Sequence, residues 1–310
     1  MSALSKDSVS YLTVDTEDAG QRIDNWLIRK LKGVPKSHIY RIVRSGEVRV
    51  NKGRVATDYR TQANDVIRIP PVRVAEHHEN ARPVPAAVFP MVYEDDALLV
   101  INKPAGVAVH GGSGVSFGVI EQLRAAHPDA RFLELVHRLD RETSGLLMLA
   151  KKRSALVKLH EMLRNTHPDK RYLALGVGHW DAAQRHVKLA LHKYTLPDGE
   201  RRVRVDSAGL ASHTGFKILT RYTGYTLVEA HLKTGRTHQI RVHMQACGCP
   251  IAGDDKYGDH GINRALAKQG LKRMFLHASS LSLVHPLTGA PLQLEAALPA
   301  ELQHFLDTLS

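Results

Sequence analysis

One eleven-residue window concentrates the reactive side chains of this chain: His137-Arg138-Leu139-Asp140-Arg141-Glu142-Thr143-Ser144-Gly145-Leu146-Leu147. It sets a single carboxylate, Asp140, between Arg138 and Arg141, on a short polar turn entering the apolar run Leu146 to Ala150. A carboxylate so placed is not core material. Flanking cations are expected to keep it ionised, available as a base or nucleophile. An aspartate in a turn often serves only to cap or shape that turn.

The surrounding residue types narrow the chemistry. Hydrolysis of a sugar bond normally asks for two carboxylates, one acid and one base. Glu142 is the nearest second acid, and at two residues from Asp140 in a turn it need not converge on the same bond. Nineteen histidines invite a zinc reading, yet no His-Glu-x-x-His occurs, and His238 and His243 are not spaced to align on one helix face. The glycine-rich stretch Gly106 to Gly118, with His110-Gly111-Gly112-Ser113-Gly114, lacks the Gly-Lys-Ser/Thr of a phosphate loop and the Rossmann spacing, so it reads as an active-site loop. One aspartate, several arginines, a tyrosine and no metal set suit a reaction that breaks and remakes a glycosidic bond without external water.

These residues need a scaffold. Val92 to Pro104 reads as a hairpin: an acidic turn, a buried strand and a proline stop. A helix is expected over Ser116 to Ala126, a strand over Leu146 to Ala150, a helix over Arg153 to Arg164, and strands from Lys170 and over Leu227 to Leu232. Thr234 to His243 is expected to open a helix, with Ile240 and Met244 inward and Arg241 and Gln245 along a polar line. A strand from Phe275 and a closing helix over Leu302 to Leu309 complete an α+β domain. Its sheet is mixed and mainly antiparallel, and the catalytic turn lies over a central cleft.

The first 75 residues read as a separate small α/β module. Ile23, Leu27 and Leu31 recur at helical spacing, and Pro35 and Ser37 start a second helix that Gly46 ends. Glu47 to Asn51 alternates as a strand, Asn51-Lys52-Gly53 turns the chain, and a further strand spans Asp65 to Ile69. From Arg22 to Arg54 ten Lys or Arg stand against Asp24 and Glu47, a net +8. Lys36, Arg41 and Arg44 fall on or near one face of the second helix, a surface suited to RNA phosphates. The proline-containing stretch that follows reads as a linker. Its His77-His78 pair reads as solvated, since no Cys or carboxylate cluster frames it.

Composition agrees with this division. A chain of 310 residues is long enough for about two domains, and 43% hydrophobic content marks it as globular. A formal charge of +12 and a pI near 9.7 point to a polyanionic partner, nucleic acid before an anionic membrane surface. No signal run appears at the N-terminus, and no stretch approaches the roughly 18 apolar residues of a span. Cys247 and Cys249 suit neither a disulfide framework nor a zinc knuckle. A cytoplasmic, reduced setting is expected.

Two resemblances sharpen these expectations. Ser37 to Asn51 resembles the signature of the S4 RNA-binding domain, over roughly residues 12–75, and implies structured RNA as partner. The 137–145 window resembles the HRLD-x-x-TSG motif of the RluA/RluC-type pseudouridine synthases. Lys103-Pro104, Lys170-x-Tyr172, Thr234 to His243 and Leu276-His277-Ala278 follow in family order over about residues 90–295. The resemblance implies an S4-like domain over 12–75, a linker over 76–89 and a pseudouridine synthase domain over 90–310. The implied reaction is isomerisation of uridine within large-subunit (23S) ribosomal RNA: the N1–C1′ bond breaks and C5 bonds to C1′, with no cofactor and no metal. Asp140 is then the essential carboxylate, as nucleophile or base. Arg241 pairs with it, and Tyr172 stacks on the uracil. Arg138 fills the gap left by the flipped base, and Leu276 packs beneath it. Lys103 and Arg236 are phosphate or structural contacts, and His238 and His243 packing or hydrogen-bonding residues. A monomer without membrane association is expected. The alternatives are a sister synthase acting on other ribosomal or transfer RNA uridines, or a ribosome-assembly factor that binds RNA without catalysis.

Overall fold

The computed structural model describes residues 7–31, 33–72, 84–112 and 115–310. The chain divides into two compact units, Met1–Pro83 and Val84–Ser310. Most of the expected linker, His77-His78 included, and Ser113-Gly114 of the glycine-rich loop lie outside the described residues.

In the first unit, β1 (Ser10–Thr13) precedes α1 (Ile23–Lys30) and α2 (Lys36–Arg44), followed by β2 (Arg49–Val50), β3 (Gly53–Arg54) and β4 (Val66–Ile69). The four strands form an antiparallel sheet in the order β1-β4-β2-β3. Ile23, Trp26 and Leu27 from the first helix, with Leu31 just after it, meet Ile39, Ile42 and Val43 from the second in one buried cluster. Gly46 ends α2 with φ +76°, a conformation open to glycine at little cost. The strand expected over 47–51 shrinks to two residues, because Asn51 and Lys52 both adopt left-handed backbone to turn the chain.

The second unit opens with the expected hairpin, β5 (Met91–Glu94) and β6 (Leu98–Lys103). Next come α3 (Val119–Ala126), β7 (Glu134–Leu135), β8 (Ser144–Ala150), α4 (Arg153–Asn165), β9 (Asp169–Val177) and β10 (His186–Val187). A separate hairpin, β11 (Leu191–Thr195) with β12 (Arg201–Val205), leads to the long pair β13 (Thr214–Tyr222) and β14 (Tyr225–Leu232). Then follow α5 (Gln239–Ala246), α6 (His260–Lys268), β15 (Leu276–Val284), β16 (Pro291–Glu295) and α7 (Ala300–Asp307).

Ten strands make one sheet, ordered β10-β13-β14-β9-β15-β8-β6-β5, with β16 on β15 and β7 on β8. Every pairing is antiparallel except β15 with β8, which meet in parallel only at His277↔Ser144 and Ala278↔Gly145. The mixed, mainly antiparallel sheet expected for the larger domain is therefore present. All seven residues of β8 are buried, which accounts for its unbroken apolar run after Gly145.

The β8–β15 junction depends on Gly145. With φ +109°, a Cβ there would lie 2.2 Å from the Ala278 carbonyl oxygen. The junction is also pinned by side chains. His277 Nδ1 and Ser144 Oγ are 2.9 Å apart, and Arg273 Nη2 donates to Ser144 Oγ at 2.8 Å. Replacing Gly145→Ala should cost at least ~2 kcal/mol from backbone strain and steric conflict, read as a lowered midpoint in urea unfolding.

Candidate active site

Several segments converge where β8, β15 and β9 meet. The turn before β8 carries Asp140, β9 carries Tyr172, β15 begins at Leu276, and the 234–238 loop with α5 supplies another wall. They line a cleft of about 490 Å³. Strand alternation sorts β9: Lys170 and Tyr172 line the cleft, while Arg171 pairs with Asp169 and Glu229 on the opposite face. Tyr172 is flanked across the sheet by Ala230 and Ala278, whose small side chains leave room for the ring. The ring is buried, and its hydroxyl makes no hydrogen bond among the described residues. Burial, reinforced by the Asp140 charge, pushes the phenol well above its usual range, so it stays neutral. Leu276 is buried in the cleft wall.

Asp140 is half-buried, and its two oxygens have different neighbours. Oδ2 accepts from Arg241 Nη1 at 3.2 Å, and Oδ1 faces His238 Nε2 at 3.8 Å. Arg241 is itself buried and donates through Nε and Nη2 to both oxygens of Asp254, each at 2.7 Å. Asp254 is fully buried and also accepts the backbone N–H groups of Lys256 and Tyr257. The Arg241 guanidinium lies 5.0 Å from the centre of the Tyr257 ring. Burial opposes the arginine's charge, but the Asp254 hydrogen bonds and the two carboxylates outweigh it and raise its pKa.

Three sequence expectations change. First, the partner of Asp140 is not its sequence neighbours: Arg141 Nε donates to the Gly106 carbonyl, and the exposed Arg138 side chain makes no ion pair or hydrogen bond among the described residues. Second, the helix expected from Thr234 begins at Gln239, because His238 is left-handed (φ +53°) and the preceding loop folds onto Gln239. Gln239 Oε1 accepts from Thr234 Oγ1 and Arg236 N, while its Nε2 donates to the His213 carbonyl and Thr214 Oγ1. Third, Arg241 does not share a polar line with Gln245: it is buried, while Gln245 is exposed. Of the two roles expected for Lys103 the structural one is seen, with Nζ donating to the carbonyls of Pro104, Val107 and Arg141. Burial pushes its pKa down to about 7.

Asp254 was missed, although Gly253-Asp254-Asp255-Lys256-Tyr257-Gly258 carries two adjacent acids before an aromatic residue. Nothing local couples that segment to Asp140. Arg236 donates through Nε to the Ala211 carbonyl and lines the cleft. Among the described residues no group of three or more His, Cys, Asp or Glu could hold a metal ion. In the first unit, Lys36, Arg41 and Arg44 are exposed and make no ion pair among the described residues. Arg41 and Arg44 line a surface groove with Ser37, Tyr40 and Ser45. The basic face is narrower than the charge count implied, since Arg22 pairs with Asp24, and Arg29 and Lys30 pair with Asp18.

The cleft thus sets one carboxylate, held by a buried arginine, beside a neutral tyrosine. Residues 97–246 match the model of the RNA pseudouridylate synthase family, and residues 21–67 match the S4 domain. The chain belongs to the RNA pseudouridylate synthase family. It is 54% identical to ribosomal large subunit pseudouridine synthase C of Haemophilus influenzae, over 97% of this chain and 95% of that protein. It is equally similar to the protein of that name from Escherichia coli strain K12, at 54% identity over 97% of each chain. Among solved structures, human RNA pseudouridylate synthase domain containing 4 superimposes with a TM-score of 0.57 at 29% identity, over 70% of this chain and 92% of that one.

Three histidines near the site are held neutral by removal from water: His137 at about 3, and His238 and His243 at about 4. His137 Nε2 accepts from Met148 N, and His243 bridges Ser212 and Thr214. In the unfolded chain each titrates near 6.5. Between pH 6.5 and about 4 the unfolded state therefore binds more protons, and stability falls as pH falls. Urea unfolding across this window should lose up to roughly 1.4 kcal/mol per pH unit for each histidine, and a His243→Gln variant should show a shallower slope.

Proposed function

We propose that this chain isomerises uridines of large-subunit ribosomal RNA to pseudouridine. The carrying observation is the cleft's charge: among the described residues Asp140 is the sole carboxylate lining it, against Arg138, Arg164, Lys170, Arg236 and Arg241. That lining suits a polyanion whose glycosidic carbon must meet a single carboxylate. The name shared by the relatives supports the choice of ribosomal RNA.

On this reading the target base leaves its stack and enters the cleft. Asp140 acts at the sugar or base, as nucleophile or base, while Arg241 holds and aims it. The N1–C1′ bond breaks, the uracil turns, and C5 bonds to C1′. The C5 proton is removed and N1 gains one, so no atom is gained or lost and no cofactor is required. Tyr172 stacks on the uracil with its buried, neutral ring. Leu276 supports the base from below, and the unpaired Arg138 fills the vacated stack.

Residues 12–75 act as the RNA-positioning domain through Lys36, Arg41 and Arg44, residues 76–89 as linker, and residues 90–310 as the catalytic domain. The setting is the cytoplasm.

The first test is pseudouridine mapping of large-subunit RNA from cells lacking the protein, complemented with wild type or Asp140→Asn. Specific pseudouridines should disappear and return only with wild type, and the purified variant should lose activity on the order of 10³-fold or more. Restoration by the variant would overturn the catalytic assignment. A map unchanged by the deletion would move the substrate to another RNA. A double Arg41→Ala, Arg44→Ala variant should bind the same RNA more weakly, with a shallower dependence of affinity on salt by about one to two released ions.

A further inference from the structure

His238 stands outside the roles assigned so far, yet it is the second group facing Asp140. Its backbone is left-handed at φ +53°, and its side chain makes no capping hydrogen bond to the helix it precedes. Such a conformation is unfavourable for a residue with a side chain and persists where surrounding contacts over-determine it. Those contacts run through Tyr257. Its hydroxyl accepts the Val203 backbone N–H at 2.9 Å and lies 2.7 Å from His238 Nδ1. Among the described residues the hydroxyl has no other hydrogen-bond partner, so the phenolic proton has Nδ1 as its acceptor. Nδ1 then carries no hydrogen, and the neutral imidazole keeps its proton on Nε2. The ring is further held edge-on to Tyr257, with centroids 5.5 Å apart.

The Nε2–H donor therefore faces the Asp140 Oδ1 acceptor across 3.8 Å, too far for a direct hydrogen bond. A donor and an acceptor at that separation can share one hydroxyl, which accepts from the first and donates to the second. Resting on the reaction proposed above, Asp140 works at a glycosidic carbon. In an internal nucleotide the 3′ and 5′ oxygens are esterified, so the one free sugar hydroxyl is the 2′-OH, on the carbon next to C1′. We propose that His238, its tautomer set by Tyr257 and Val203, together with Asp140 Oδ1 forms a binding site for the 2′-hydroxyl of the target nucleotide. The site orients the ribose against Asp140 and makes ribose, rather than deoxyribose, the productive sugar. Val203 lies in β12, so the separate β11–β12 hairpin contributes to this site through its backbone.

The test is a cycle between enzyme and substrate. An RNA hairpin carrying one uridine established as a target is compared with the same hairpin bearing 2′-deoxyuridine there. Wild type, His238→Ala, His238→Gln and Tyr257→Phe are assayed on both for kcat/KM and for binding affinity. Wild type should lose about ten- to a hundredfold on removal of the hydroxyl. His238→Ala should lose a similar factor on the ribose substrate and little more on the deoxy one. His238→Gln, which restores an N–H donor, should recover part of the discrimination, and Tyr257→Phe should lose part of it. If the deoxy hairpin is turned over by no variant, the same cycle is read in affinity. A purely structural His238 would lower both substrates by one common factor, and that result would overturn the proposal. The proposed reaction is judged separately, by whether wild type forms pseudouridine in the ribose hairpin.

Discussion

The site is organised around one buried cation. Arg241 is taken out of water and must find compensation for its charge, because a guanidinium buried alone costs several kcal/mol. Asp254 supplies most of it through two short parallel hydrogen bonds, and is itself fixed by backbone N–H groups of the segment that follows. Only the remaining Nη1 reaches Asp140, at the longer distance of 3.2 Å. The arrangement leaves Asp140 aimed but not saturated. One of its oxygens is engaged by the arginine and the other faces His238 without a hydrogen bond.

The sheet supplies the rigidity that this pairing needs. Strands β8 and β15 run parallel for only two residue pairs, at the place where the Asp140 turn enters the sheet. Gly145 allows that close approach, and Ser144, His277 and Arg273 lock it. These contacts give the residues around Asp140 a physical purpose. Ser144 and Gly145 do not touch the cleft chemistry, but they set where the preceding turn must lie. Lys103 plays a similar part from β6, tying together three carbonyls beside the same turn.

Charge is distributed with comparable economy. Several basic residues of the first unit are consumed by Asp18 and Asp24, leaving Lys36, Arg41 and Arg44 exposed on and beside α2. Among the described residues that line the cleft, the cations outnumber the single acid. Uncompensated cations in a concave site attract an anion that brings its own charge, whereas compensated ones serve the fold.

Sequence by itself determined the local elements and the candidates for chemistry. The α1 and α2 periodicities, the β5–β6 hairpin and the apolar run of β8 follow from short-range rules of spacing and turn residues, and Asp140, Tyr172 and Arg241 were identifiable from their motifs. What local pattern did not yield were long-range pairings, of which only that of Arg241 with Asp140 was expected, through the family resemblance. Asp140 is held by a residue a hundred and one positions away rather than by its neighbours. Asp254 lies in a segment with no pattern of its own, and His238 breaks a helix that periodicity extended through it. Local propensity reports what a segment prefers in isolation. Which buried charge meets which acid, and which backbone is forced left-handed to allow it, is decided only when distant strands pack and water is removed.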